Sequence, residues 1–105
     1  MGTKLTDTLT AVTTTGTKNP ATLTRWPEFG ATAQVALSGV GVSATVRLVA
    51  WVIGGKPETL ATFNLSATRT YDSVPIFSTW DDWAWEVDAV NDATGLTLAL
   101  VGVGV

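Results

Sequence analysis

The feature that most constrains the fold is a series of short stretches rich in threonine, valine and other β-favouring residues. Breaks that contain glycine, proline, asparagine or aspartate separate these stretches, and such residues supply the backbone dihedrals of turns. Residues that favour helices, such as glutamate, lysine, glutamine and methionine, are scarce. Strands are therefore predicted at 5–15, 21–26, 31–40, 42–53, 58–65, 68–77, 82–91 and 95–103.

The spacing of these stretches indicates a fold class. Eight or so short strands at intervals of roughly 8–12 residues are typical of a sandwich, a jelly roll or a small barrel. A chain of 105 residues is long enough for one domain with a real core. We predict an all-β, antiparallel β-sandwich, jelly-roll-like, with a single domain over residues 21–105.

The first 20 residues differ from the rest because threonine dominates them. Their large apolar side chains are Leu5, Leu9 and Val12. One interpretation is an ordinary edge strand of the sandwich. The other is an extended arm that adds a strand to a neighbouring molecule through main-chain hydrogen bonds. Under the second interpretation, these three apolar side chains are interaction residues.

The stretch WDDWAWEVDAV, residues 80–90, combines tryptophans with acids. Alternate side chains of a strand point to opposite faces. Trp83 and Trp85 therefore share one face, and they are predicted to lie in the core. Asp82, Glu86 and Asp88 share the other face, which is predicted to be solvated, with Arg47 or Arg69 as cross-strand partners.

The residue inventory argues against an enzyme. The chain has no histidine and no cysteine, so it has neither a Ser-His triad nor a thiolate nucleophile. Glu86 and Asp88 lie two apart on one strand face and have the spacing of a glycoside hydrolase pair, but catalysis also needs a deep cleft. The acid-rich segments lack the spaced series of a calcium motif. No catalytic activity, cofactor or metal is predicted.

Charge and hydropathy narrow the partners. Six basic residues and a net charge of −3 provide no patch for phosphates, so no nucleic acid is expected. The apolar runs are too short for a membrane helix or a signal peptide, so the protein is expected to be soluble and not membrane-bound. The stretches 46–53 and 96–103 are apolar on both faces, which predicts contact with another subunit.

The order of elements in the second half resembles that of a known class of proteins. A strand VRLVAWVI leads to a GG turn, a TL strand, a segment with VP, the strand WAWEVDAV, a glycine-containing turn and the terminal strand LTLALVGVGV. This order is similar to that of small β-sandwich virion proteins of tailed bacteriophages, of the capsid decoration or cement type. Members of this class commonly carry an arginine in the aromatic-rich strand, where this chain has Glu86 and Asp88.

The resemblance implies a non-enzymatic structural protein that binds assembled major capsid protein, usually as a homotrimer. Its place would be the capsid surface of the virion, after production in the host cytoplasm. The alternatives are a tail or baseplate component, and a carbohydrate-binding or adhesion module. The adhesion module requires Trp26, Trp51 or Trp80 exposed in a row, and Trp26 and Trp80 join Leu5, Leu9 and Val12 as candidate interaction residues.

Overall fold

A computed structural model describes residues 3–23, 25–39 and 42–104. Predictions that fall on residues 1, 2, 24, 40, 41 and 105 lie outside these ranges, including parts of the predicted strands 21–26 and 31–40. The described chain is an all-β sandwich. Its strands are β1 (Thr3–Val12), β2 (Gly16–Lys18), β3 (Ala31–Leu37), β4 (Ser43–Trp51), β5 (Glu58–Leu65), β6 (Tyr71–Ile76), β7 (Asp82–Asn91) and β8 (Leu96–Gly104).

The strands form two four-stranded antiparallel sheets. The first sheet has the order β1-β8-β3-β6, and the second has the order β2-β7-β4-β5. The N-terminal segment crosses between them, because β1 is an edge of the first sheet and β2 is an edge of the second. Of the two interpretations of this segment, the structure shows edge strands of the sandwich, and the description of residues 3–18 as an arm is wrong.

The crossing begins where β1 leaves the ladder. Ala11 has a positive φ of 55°, and the pairing of β1 with β8 shifts between Leu9 and Val12. Gly95 lies so close that a Cβ atom built on it would be 2.5 Å from the Ala11 backbone. The predicted strand 5–15 therefore ends at Val12, just after the kink at Ala11 against Gly95, and β2 begins only at Gly16. The prediction of a strand at 21–26 is wrong for its described residues, which are irregular.

The core lies between the two sheets, as the two-residue period predicts. Trp83 and Trp85 are fully buried and meet edge to face, with ring centroids 6.0 Å apart. Trp26 extends this aromatic cluster with a second edge-to-face contact to Trp83 at 6.1 Å. Phe63 packs against Trp85 from β5 at 6.2 Å. The prediction that Trp83 and Trp85 are core residues is confirmed.

The strands that look apolar on both faces are accommodated within the single chain along most of their length, although Val52, Ile53 and Val103 at their loop-end limits stay exposed. Val49 of β4 is only 4% exposed, next to a register shift in the pairing with β5. Ala99 and Val101 point outward from β8 but are half-buried between the flanking strands. Their apolar character therefore does not by itself require another subunit, and the homotrimer stays a prediction.

The sandwich has two unlike ends. The turn end carries the connections β1–β2, β3–β4, β5–β6 and β7–β8. The loop end carries the longer segment between β2 and β3 and the connections β4–β5 and β6–β7, residues 52–57 and 77–81. Thr3 and Gly104 pair with each other at this loop end.

Candidate functional site

Exposed apolar side chains concentrate at the loop end. Six large apolar side chains are exposed among the described residues, and five of them lie there: Phe29, Val52, Ile53, Phe77 and Val103. The sixth is Tyr71, at the start of β6 on the turn end. Ile53 and Phe77 are the most open, at 87% and 86% exposure. Apolar surface gathered in one region commonly marks a binding site.

A groove of about 910 Å³ opens at the loop end. Trp51 lines it from the end of β4, and Trp80 lines it from the β6–β7 connection. Both rings are partly exposed. Leu5 also lines the groove, so the structure brings Leu5, Trp26 and Trp80 together, as three of the five candidate interaction residues. Leu9 and Val12 pack instead with the core.

Trp26 contributes to the groove but is not an exposed aromatic. Only 5% of its surface is exposed. Its indole N–H donates to the carbonyl of Ser78 at 3.0 Å, and its ring packs on Trp83. Trp26 therefore does not meet the exposure that the adhesion alternative requires, because the loop end folds this side chain onto the core. Trp80 remains partly open, and its indole N–H donates to the Ser78 hydroxyl at 2.8 Å.

The acids at the groove also hold its walls in place. Oδ2 of Asp81 accepts the backbone N–H of Ile53 at 2.7 Å. The backbone N–H of Asp81 donates to the carbonyl of Trp51 at 3.1 Å. Oδ1 of Asp82 accepts the N–H of Trp83 at 2.8 Å. The two hydrogen bonds of Asp81 join the β6–β7 connection to the end of β4 and the β4–β5 connection. The segments that carry Trp51 and Trp80 are therefore fixed relative to each other.

Asp7 anchors the segment behind the groove and is a residue that the sequence analysis missed. It is fully buried, and its Oδ1 accepts the backbone N–H groups of Thr22 at 2.6 Å and Leu23 at 3.1 Å. The indole N–H of Trp83 donates to the carbonyl of Leu23 at 3.0 Å. One clue was present in the sequence, since Asp7 alternates with Leu5 and Leu9 and so shares the inward face of β1.

The outer face of the first sheet is a second candidate surface, which we call the threonine face. Cross-strand rows of uncharged side chains make it up: Thr6, Val101, Thr32 and Pro75; Thr8, Ala99, Gln34 and Ser73; and Thr97, Ala36 and Tyr71. At its loop-end border a shallow depression of about 470 Å³ is lined by Phe29, Phe77 and Val103, with Lys4 beside them.

The outer face of the second sheet is charged. Arg47 forms two hydrogen bonds with Asp88, at 2.7 and 3.0 Å, and this pairing lowers the pKa of Asp88. Glu86 accepts a hydrogen bond from the Thr17 hydroxyl at 2.6 Å. The predicted solvated face with Arg47 as partner is confirmed, whereas Arg69 pairs with Asp72 instead. Glu86 and Asp88 therefore lie on an open sheet face and not in a cleft.

The described residues contain neither a metal-binding cluster nor a membrane-spanning helix. Within residues 3–23, 25–39 and 42–104, no group of three or more carboxylate, imidazole or thiol side chains is placed to hold a metal ion. In the same ranges, no helix has the length and apolar character needed to cross a membrane.

Comparison with known proteins gives one similar structure. No protein-family model and no curated protein sequence matches the chain. Among solved structures, the chain is similar to the crystal structure of the Yersinia pseudotuberculosis-derived mitogen, with a TM-score of 0.48 and 14% identity. The match covers 100% of this chain and 87% of the mitogen chain.

Proposed function

We propose that the protein is a non-enzymatic structural protein of a bacteriophage virion, of the capsid decoration or cement type. The observation that carries the proposal is the threonine face with its apolar depression. Its loop-end row, Thr6, Val101, Thr32 and Pro75, contains no charge, and Phe29 and Phe77 stand exposed at its border. Such a face docks on a protein without the cost of burying charges, as interface cores do.

The size of the threonine face supports attachment in many copies. Four strands spaced by about 4.8 Å, over about seven residues of about 3.4 Å each, make a flat area of about 450 Å². A standard interface buries about 800 Å² per partner. A single contact of this size is weak, so retention on a capsid depends on several contacts acting together. A homotrimer on a repeating coat lattice supplies that multiplicity.

The direct test of the proposal is the composition of purified phage particles. We expect the chain to be present in them at a fixed, high copy number relative to major capsid protein, measured by quantitative mass spectrometry. A few copies per particle would place it in the tail or baseplate instead. Absence from particles would contradict the proposal.

A pair of matched variants tests the surface. Thr32→Asp puts a charge in the loop-end row of the threonine face, beside the depression, and Thr62→Asp puts the same charge on the outer face of the second sheet, opposite Arg47. Both threonines are exposed strand residues. In co-sedimentation with capsids that lack the protein, we expect Thr32→Asp to weaken binding at least about tenfold and Thr62→Asp to bind normally. Equal binding by both variants would exclude the threonine face as the contact.

A further inference from the structure

We infer that the groove at the loop end is a second binding site, and that its ligand is a neutral saccharide. This inference is independent of the proposed capsid contact, because the groove residues and the threonine face belong to different surfaces of the sandwich. A volume of about 910 Å³ lies within the range of about 300–1,000 Å³ typical of ligand sites. The groove therefore has room for several sugar rings.

The aromatic residues of the groove suit a sugar. Trp51 and Trp80 are partly exposed residues of the groove lining, while Trp26, which also lines it, is packed against Trp83. A pyranose has apolar C–H faces and a polar edge of hydroxyls, so it packs well on an aromatic ring whose surroundings supply hydrogen bonds. Two partly exposed tryptophans in one groove lining offer aromatic contacts to a sugar chain.

The carboxylates of the groove supply those hydrogen bonds. Asp81 uses Oδ2 for the Ile53 N–H, and Asp82 uses Oδ1 for the Trp83 N–H. Among the described residues the other oxygen of each carboxylate forms no hydrogen bond, and an ionised carboxylate is an acceptor for hydroxyl donors. Charge-assisted hydrogen bonds of this kind are stronger than neutral ones.

The charge of the groove lining selects the class of saccharide. Three acids, Glu28, Asp81 and Asp82, and one base, Arg25, line the groove, so its net charge is −3 + 1 = −2. This charge repels uronic and sialic acids. Phosphate-bearing ligands are disfavoured for the same reason, whereas the hydroxyl groups of a neutral sugar can donate to the acceptor-rich walls without charge repulsion.

The groove is organised before any ligand binds. The hydrogen bonds from Asp81 fix the β4–β5 and β6–β7 connections to each other. The Ser78 hydroxyl accepts the Trp80 indole N–H, and the Ser78 carbonyl accepts that of Trp26. Binding therefore costs little ordering of the site, which favours measurable affinity from a small contact area.

Isothermal titration calorimetry with neutral and acidic tetrasaccharides tests the inference. The neutral probes are maltotetraose, cellotetraose and chitotetraose, and the acidic probe is tetragalacturonate. We expect saturable binding of at least one neutral probe with a dissociation constant below about 1 mM, and no binding of the acidic one. Saturable binding of none of the neutral probes, or preferential binding of the acidic probe, would overturn the inference.

Variants locate the site. Trp80→Ala is expected to weaken binding at least about tenfold, and Asp82→Asn severalfold. Asp82→Asn keeps the side-chain shape and its Oδ1 acceptor, so it should not disturb the fold. If Trp80→Ala lowers the melting temperature, the affinity of Asp82→Asn is the measurement that tests the site. The control variant is Phe77→Ser, because Phe77 is exposed at the loop end but does not line the groove. This variant should bind sugar normally. Unchanged affinity in folded Trp80→Ala and Asp82→Asn would also overturn the inference.

Capsid co-sedimentation of the same variants keeps the two proposals apart. Trp80→Ala and Asp82→Asn should bind capsids normally, and Thr32→Asp should bind sugar normally. Loss of both activities in Thr32→Asp would mean that one surface serves both, and it would contradict the assignment of the sugar to the groove.

Discussion

The two ends of the sandwich use carboxylates in opposite ways. At the turn end, buried Asp92 is saturated by the backbone: Oδ2 accepts the N–H groups of Ser38 and Gly39, at 2.8 and 3.1 Å, and Oδ1 accepts those of Thr94 and Gly95, at 3.0 and 3.2 Å. The N–H of Ser38, with smaller contributions from the others, lowers the pKa of this carboxyl. The carboxylate therefore works entirely to hold the β3–β4 and β7–β8 connections together.

At the loop end the carboxylates are only partly used. Among the described residues, Asp81 and Asp82 each accept a backbone N–H with one carboxylate oxygen. Trp51 and Trp80 are partly exposed. The loop end also exposes Ile53 and Phe77 almost completely. The comparison shows that the turn-end carboxylate stabilises the fold by holding two connections together. The loop end instead leaves hydrogen-bond acceptors and apolar surface accessible to a ligand.

The largest expected effect is the loss of β1 and β2. Deleting residues 1–18 removes one edge of each sheet together with the crossing between them at the turn end. It also removes buried Asp7 and Val12 and exposes the apolar inner side chains of β8. We expect the truncated chain to lose its cooperative urea transition, followed by circular dichroism. A cooperative transition in the truncated protein would show that the sandwich does not depend on this crossing.

A matched pair of glycines compares the two ends directly. Gly95 at the turn end has a φ of +98°, and a Cβ there would lie 2.5 Å from the Ala11 backbone. Gly54 at the loop end has a φ of +77°, and a Cβ there would meet nothing within 4 Å. Gly95→Ala should lower the free energy of unfolding by about 3 kcal/mol or more, because strain and overpacking add. Gly54→Ala should cost about 1 kcal/mol, from strain alone.

Urea unfolding of both glycine variants at one pH measures this difference. Equal losses would mean that the turn end is no more tightly packed than the loop end, and the comparison would fail. A larger loss in Gly54→Ala would reverse it.

The smallest effect is a dependence on pH. Because the folded pKa of Asp92 is lowered, its stabilising contribution is complete above its unfolded pKa of about 4 and is lost as the pH falls through the folded value. Asp92→Asn should flatten this acid limb of stability. Asp88→Asn, which removes the exposed partner of Arg47, should change it less because solvent screens that pair. Urea midpoints measured between pH 2 and 7 give the comparison, and an unaltered acid limb in Asp92→Asn would contradict it.

The sequence predicted features that depend on local periodicity. The alternation in residues 82–91 correctly assigned Trp83 and Trp85 to the core and Glu86 and Asp88 to the outer face. The positions of β3 to β8 also followed, because each is bounded by turn-forming residues. In these elements the alternation of apolar and polar residues within one strand is enough to predict which face is buried.

Features that depend on distant partners were not predictable. Trp26, in the irregular segment between β2 and β3, is buried because it packs on Trp83 of β7. Asp7 is buried because the segment at Thr22 and Leu23 folds over it and donates two backbone N–H groups. The crossing of the N-terminal segment between sheets likewise depends on the approach of Gly95 to Ala11. The alternation of apolar and polar residues within one segment cannot predict contacts with a segment that is distant in the sequence.

The pairing of Thr3 with Gly104 determines how the sandwich responds to mechanical force. The two residues lie on neighbouring antiparallel strands at the same end of the molecule, and the hydrogen bonds between those strands run perpendicular to them. A pull that separates residues 3 and 104 therefore opens the β1–β8 ladder one pair at a time, as a zipper opens, and meets little resistance. A pull distributed over the threonine face is shared by four strands, so we expect this fold to tolerate tension across that face better than tension between residues 3 and 104.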